Sequence, residues 1–281
     1  MQSQILSVDT EEHQYLPDAN QLSVLASVIL LAYALTPYIN SMGQNYSFQL
    51  PGFFLSIRIN LTSVVSILVA VLAVLGTDWI LHSHPSVRTQ RSFMVHWILP
   101  GLTAWVIGLP LYNLKVGLQW WGVIALGGGL LILILVAEFI VVDVSDSRYA
   151  LATVGLTAMA FALYLMVAIA VRAAGLRLYL VLPMLVIPMA LVVLRTLYLR
   201  LGGGLFLPWA IGIAFVVGQF AIGLHYLPLP PLTFGLVLLG PAYALTGLAG
   251  AIEEGRPWKT LWIEPVIMLV LLWGLAFIFS G

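Results

Sequence analysis

Two polar residues close to the end of an apolar segment have the types and spacing of a catalytic pair. Asp78 and His82 lie four residues apart in TDWILHSHP (77–85), a spacing that puts both on one face of a helix. A carboxylate beside an imidazole is a general-base arrangement, and it is also an ordinary hydrogen bond at a helix end. We predict that this pair is the catalytic element of any reaction that the protein carries out.

Four further residues are predicted to bind a ligand at the same end of the protein: His96, Glu138, Arg195 and Glu264. Asp78, Glu138 and Glu264 each stand about one turn inside an apolar segment, where a charge costs on the order of 2.5–3.5 kcal/mol. Such residues usually face other helices and have partners. Arg195 lies at a matching depth and is the natural partner of one carboxylate. A structural ion pair satisfies this pattern as well as a ligand pocket does.

The same residues indicate no metal and no particular cofactor. The chain has no cysteine, which removes thiolate ligands and disulfides. A metal site needs about three or four converging ligands. Asp78, His82, His96 and Glu138 would supply them only if three helices met at one point. We therefore predict no metal site, and the cofactor stays unknown.

The elements that must position these residues are membrane-spanning helices. Of the 281 residues, 62% are hydrophobic and 8% are charged, whereas a soluble domain has roughly 25% charged residues. A bilayer core about 30 Å thick takes roughly 20 apolar residues per helix. Such segments recur at 21–41, 60–83, 92–113, 118–142, 149–172, 176–198, 205–225, 229–252 and 258–280. The predicted fold class is all-α, a polytopic bundle of about nine transmembrane helices in one domain, 21–281, after a polar acidic tail, 1–20.

The longest connection between these segments, 45–60, has a different pattern. Its sequence is NYSFQLPGFFLSIRIN, in which apolar and polar residues alternate on both sides of Pro51-Gly52. Alternation with a period of two predicts a short β-hairpin or an extended flap at the membrane interface. A plain amphipathic loop fits the same pattern.

Charged residues divide unevenly between the two sides of a nine-helix bundle. Lys and Arg number seven on the side with the amino terminus and four on the other side. Because the richer side faces the cytoplasm, we predict a cytoplasmic amino terminus and an external carboxyl terminus. All 11 acidic residues fall on the amino-terminal side too. This clustering fits a solvated acidic surface, and it also fits a polar pocket at headgroup depth.

Composition limits the partners and the function classes. No basic stripe is present, so a nucleic-acid partner is not predicted. Membrane lipids are the predicted partners, and the sequence leaves the oligomeric state and enzymatic activity open. The polar residues lie near one interface rather than at mid-membrane, where transporter sites lie. This favours a site for a lipid headgroup or small molecule at the cytoplasmic helix ends. A small-molecule or proton-coupled transporter and a non-catalytic subunit or scaffold are the alternatives.

Two segments of the chain resemble a known group of membrane proteins. TDWILHSHP, together with VAEFIVVDVSDSRYALA (136–152), is similar to multi-pass bacterial proteins of the Chloroflexi type. Those proteins are grouped only as a domain of unknown function, and the resemblance covers most of the chain. It implies a multi-pass protein of the bacterial inner membrane and no particular activity.

Overall fold

The computed structural model describes residues 16–39, 44–50, 53–59, 61–84 and 94–280. Most of the predicted acidic tail, residues 1–15, lies outside the described residues. So do the Pro51-Gly52 step of the predicted hairpin and two arginines of the charge count, Arg88 and Arg91.

Helices account for most of the described chain. They are α1 (Ala19–Leu35), α2 (Leu61–Leu81), α3 (Ile98–Asn113), α4 (Leu118–Ile140), α5 (Tyr149–Ala173), α6 (Leu178–Arg200), α7 (Leu207–His225), α8 (Pro231–Glu253), α9 (Trp258–Leu261) and α10 (Ile263–Ile278). A 3₁₀ turn follows α1 at Thr36–Tyr38, and another, Met94–Trp97, leads into α3.

Nine helical segments within the described residues are long and apolar enough to cross a membrane. Their mean hydropathy runs from 1.5 to 2.6, and the ninth combines α9 with α10 over Trp258–Ile278. In lipid the backbone must satisfy its own hydrogen bonds, which a helix does within one segment. The prediction of an all-α, polytopic bundle of about nine spans is confirmed, and the protein is a multi-pass membrane protein.

Contacts between helix ends show that α6 and α8 end on one side of the bundle, as α5 and α7 do on a side of their own. Arg200, the last residue of α6, donates from Nη2 to Glu254 Oε2 just after α8 over 3.1 Å. Arg172, near the end of α5, donates to the carbonyl of Leu227 just after α7 over 2.5 Å. We call the side on which α1 begins and α2, α4, α6 and α8 end the amino-terminal side. The other is the carboxyl-terminal side.

The hydrophobic core has two parts, and α3 contributes to both. In the first, residues of α1, α2, α3 and α4 pack around Tyr33, whose hydroxyl donates to the carbonyl of Ala104 over 2.6 Å. The second joins α3 and the last turns of α4 to α5, α6, α7, α8 and α10, with Leu185 of α6 fully buried. Because α3 lies between the two parts, its amino-terminal end is held beside both α4 and α6.

The connection between α1 and α2 contains two antiparallel strands, β1 (Gln44–Leu50) and β2 (Phe53–Ile59). In their register Gln44 lies opposite Ile59, and Leu50 lies opposite Phe53. The alternating segment of the sequence therefore corresponds to paired, extended backbone.

Candidate functional site

A buried charged cluster joins three spans at the amino-terminal side. His96 comes from the 3₁₀ turn before α3, Glu138 from the last turn of α4 and Arg195 from α6. All three side chains are 0% exposed. Glu138 stands two residues and Arg195 five residues before the end of its helix. At a rise of about 1.5 Å per residue, both lie within roughly 8 Å of a helix end. We call these three residues the buried cluster.

Arg195 and Glu138 form a two-point ion pair. Arg195 Nε donates to Glu138 Oε1 over 3.1 Å, and Arg195 Nη2 donates to Glu138 Oε2. Parallel guanidinium–carboxylate bonds of this kind are among the stronger hydrogen bonds in proteins. Burying either charge alone would be costly, whereas the pair compensates its charges within the low-dielectric interior. Each of the two residues therefore makes it energetically possible to bury the charge of the other.

His96, in the 3₁₀ turn before α3, contacts the same carboxylate of Glu138. Its Nδ1 lies 2.8 Å from Glu138 Oε2 and 3.3 Å from Arg195 Nη2. A carboxylate can only accept hydrogen bonds, so Nδ1 carries a proton and donates it. Two donors thus converge on one carboxylate oxygen. In the neutral imidazole this tautomer leaves Nε2 as a hydrogen-bond acceptor.

Polar atoms around the cluster are buried without a hydrogen-bond partner. They are His96 Nε2, Trp97 Nε1, Arg195 Nη1 and Thr196 Oγ1. Leaving a buried donor or acceptor unsatisfied costs about 1–3 kcal/mol, and such groups are nearly always paired in folded proteins. The side chains of the cluster and of the residues next to it therefore have hydrogen-bonding capacity that no described contact uses.

Tyr198 borders the cluster and was not among the residues predicted from the sequence. Its ring centroid lies 5.9 Å from that of His96, edge to face, and 5.5 Å from Arg195 Cζ. A guanidinium over an aromatic ring is a favourable cation–π contact. Tyr198 stands three residues after Arg195 on α6, so helical spacing was the signal that could have found it.

An apolar groove of about 610 Å³ lies against the amino-terminal end of α3, between α2 and α6. Trp97, which follows His96, lines it, and so does Leu191, one turn before Arg195. On α2 the lining includes Val71 and Leu75. The groove therefore runs along the spans towards the buried cluster. We call it the apolar groove.

The other predicted site residues lie in two exposed pairs. His82 Nδ1 is 3.4 Å from Asp78 Oδ2, with the two side chains 60% and 37% exposed. Glu264 Oε2 is 3.7 Å from Arg256 Nη1, and the Glu264 side chain is 47% exposed. The structure thus brings together His96, Glu138 and Arg195 of the six predicted residues. The catalytic role of Asp78 and His82 and the binding role of Glu264 stay predictions.

The turn that follows α4 carries an ion pair and hydrogen bonds of its own. Arg148 Nη2 donates to Asp146 Oδ2 over 2.7 Å, which lowers the pKa of Asp146. Hydrogen bonds from Ser145 lower the pKa of Asp143. Burial lowers the pKa of His84, although the two nearby aspartates act in the opposite direction. Part of the acidic clustering is therefore accounted for by contacts within this turn.

The three side chains of the buried cluster suit a polar ligand better than a metal ion. His96 and Glu138 are of metal-binding type, but Arg195 occupies both carboxylate oxygens and repels a cation. Within the described ranges, no three His, Asp or Glu side chains are grouped so as to hold a metal. The unpaired acceptor, His96 Nε2, fits a ligand hydroxyl group, and the unpaired donor, Arg195 Nη1, fits an anionic oxygen atom.

Comparisons with known proteins identify a family without a described role. A family model described as "Protein of unknown function (DUF5656)" matches residues 42–279. No curated protein and no solved structure matches the chain. The matched range contains the buried cluster, the apolar groove and every predicted site residue. The predicted resemblance to a domain of unknown function is confirmed.

Proposed function

We propose that this chain, which belongs to the DUF5656 family, binds a membrane lipid whose polar headgroup enters the buried cluster. The observation that carries the proposal is the buried ion pair of Glu138 and Arg195, which His96 also contacts. Two buried atoms of this cluster, His96 Nε2 and Arg195 Nη1, have no hydrogen-bond partner. A purely structural ion pair gains nothing from leaving two buried polar atoms unsatisfied. A ligand that satisfies both accounts for that cost.

The unpaired atoms define the headgroup chemistry. His96 Nε2 accepts a hydrogen bond from a hydroxyl group, and Arg195 Nη1 donates one to an anionic oxygen. Trp97 Nε1 and Thr196 Oγ1 add further polar contacts. A headgroup that carries a hydroxyl next to a phosphate has both required functions. In this site Glu138 is a positioning residue, because it orients the imidazole and the guanidinium rather than contacting the lipid.

The apolar groove takes the hydrocarbon chain of the same lipid. It lies within membrane-spanning parts of α2, α3 and α6 and reaches the residues next to the cluster. A chain that moves from the bilayer into a groove gains little hydrophobic free energy, since lipid is equally apolar. The headgroup contacts must therefore supply most of the affinity and all of the discrimination between lipids.

Filling the groove is expected to remove the bound lipid. Val71 lines the groove and is 49% exposed, so Val71→Trp places bulk there with little effect on the core. Val154→Trp on α5, at a position 68% exposed and outside the groove, is the matched control. We expect mass spectrometry of the purified protein to show lipid occupancy at least about tenfold lower in Val71→Trp, a difference of about 1.4 kcal/mol. Equal occupancy in the two variants would contradict the proposal.

A proton-coupled transporter is the second candidate function. Buried ionisable residues within spans form proton relays in many pumps and transporters, and the buried cluster is such a group. Its position at the helix ends favours the headgroup site, because transporter sites lie near mid-membrane. Proton uptake driven by a pH gradient in liposomes, lost in His96→Gln, would favour transport instead.

We also propose that the protein lies in the inner membrane of a bacterium, with its amino-terminal side facing the cytoplasm. The excess of Lys and Arg on that side supports this orientation. Because the chain has no cysteine, Ser147→Cys and Ala174→Cys introduce single exposed thiols on the amino- and carboxyl-terminal sides. A membrane-impermeant maleimide is expected to label only the second in intact cells. Labelling of the first alone would reverse the orientation.

A further inference from the structure

A second polar cavity lies on the carboxyl-terminal side, at the other end of α6 from the buried cluster. It has a volume of about 320 Å³, and its charged or titratable lining residues are Arg172, Arg177 and His225. None of the described residues that line it is acidic. The acidic residues that the structure describes all lie towards the other side of the bundle. The cavity is therefore a region of uncompensated positive charge.

Arg172 is held in place by neutral groups. It donates from Nε to the carbonyl of Leu229 over 3.2 Å and from Nη1 to the carbonyl of His225 over 3.0 Å. Its Cζ also lies 5.4 Å from the ring centroid of Phe234. Carbonyl dipoles orient the guanidinium but carry no net charge to neutralise it. With the Nη2 bond to the carbonyl of Leu227, all three guanidinium nitrogens donate to carbonyl groups, which leaves one N–H on each Nη atom for an anion.

The first turn of α6 adds to this positive region. Val181, in that turn, lines the cavity, and Arg177 immediately precedes the helix. No side chain caps the amino-terminal end of this 23-residue helix. The helix dipole favours an anion at this end. The helix end therefore reinforces the two arginines and the histidine.

We infer that this cavity binds a phosphate anion, as the headgroup of a lipid in the adjacent leaflet or as free phosphate. Guanidinium groups match the oxygen geometry of phosphate, and an imidazole completes the set of donors. The cavity lies on the side opposite the buried cluster and shares no lining residue with the apolar groove. The inference is consequently independent of the lipid proposed for the buried cluster.

Arg177 offers the cleanest test because its side chain is exposed. Arg177→Gln removes one cation from the cavity, and Lys115→Gln removes an exposed cation on the same side that does not line it. Melting temperatures followed by tryptophan fluorescence would compare sodium phosphate with sodium chloride at equal ionic strength. A second arm would compare nonionic micelles with and without phosphatidylglycerol.

Wild type and Lys115→Gln are expected to melt about 5 °C or more higher in at least one arm, at ligand concentrations near a hundred times Kd. The shift in Arg177→Gln should be less than half as large. A shift with phosphate identifies free anion as a ligand, and a shift with phosphatidylglycerol alone identifies a headgroup. No shift in wild type in either arm, or an equal shift in Arg177→Gln, overturns the inference. His225→Gln provides a second variant should Arg177→Gln fail to fold.

Discussion

Replacing Glu138 by glutamine is expected to lower the free energy of unfolding by about 3–5 kcal/mol, the usual cost of breaking a buried ion pair. The Arg195 guanidinium, 0% exposed, would remain charged without a counterion. The expected fall in melting temperature is roughly 10 °C. Thermal unfolding of the purified protein in one detergent would measure it.

Glu264→Gln is the matched control for this prediction, because it makes the same chemical change at the same side of the bundle. Glu264 is 47% exposed and lies 3.7 Å from its arginine partner. Exposed pairs are worth about 1 kcal/mol or less, so its melting temperature should stay close to that of wild type. Equal melting temperatures for the two variants would show that the burial of Glu138 has no energetic role.

Combining Glu138→Gln with Arg195→Met is expected to recover most of the stability that the first change removes. Replacing both members of a buried ion pair by uncharged residues of similar volume is often neutral or stabilising. The glutamine carbonyl oxygen still accepts the bond from His96 Nδ1, so the histidine stays oriented. A double-mutant cycle in thermal or denaturant unfolding should give a coupling of about 2 kcal/mol or more.

Additive effects of the two substitutions would contradict this expectation. They would mean that Arg195 and Glu138 contribute to stability through separate contacts. A recovered double variant is also a useful reagent. It is folded to the same degree as wild type but lacks the cationic donor at the cluster, so it separates stability from ligand binding.

The spans were predictable because lipid demands long apolar runs. Each run of roughly 20 apolar residues becomes one helix, whatever its neighbours are. The sequence predicted that Arg195 pairs with one of the carboxylates, because a charge within a span needs a counterion. The contact of His96 with Glu138 was not predictable, since it joins residues 42 positions apart and depends on how α3 packs between two halves of the core.

Exposure was the least predictable property of the site. Asp78, Glu138 and Glu264 stand at similar depths along their helices, yet only Glu138 of the three is buried. Depth follows from position in the sequence, but the direction of a side chain around the helix does not. These helices are apolar on every face, so no polar stripe shows which face meets the bundle. The basic cavity at Arg172 and Arg177 was not predictable, because arginines near helix ends also extend to the membrane interface without forming a site.

Native mass spectrometry of the protein extracted in mild detergent tests the headgroup site most directly. Wild type is expected to retain a lipid that carries a phosphate or another anionic group. The double variant Glu138→Gln with Arg195→Met should retain at least about tenfold less, since a charge-assisted hydrogen bond is worth about 1.5–3 kcal/mol. Both proteins should melt within a few degrees of each other. A wild-type protein free of lipid, or equal retention by the two, would contradict the headgroup site.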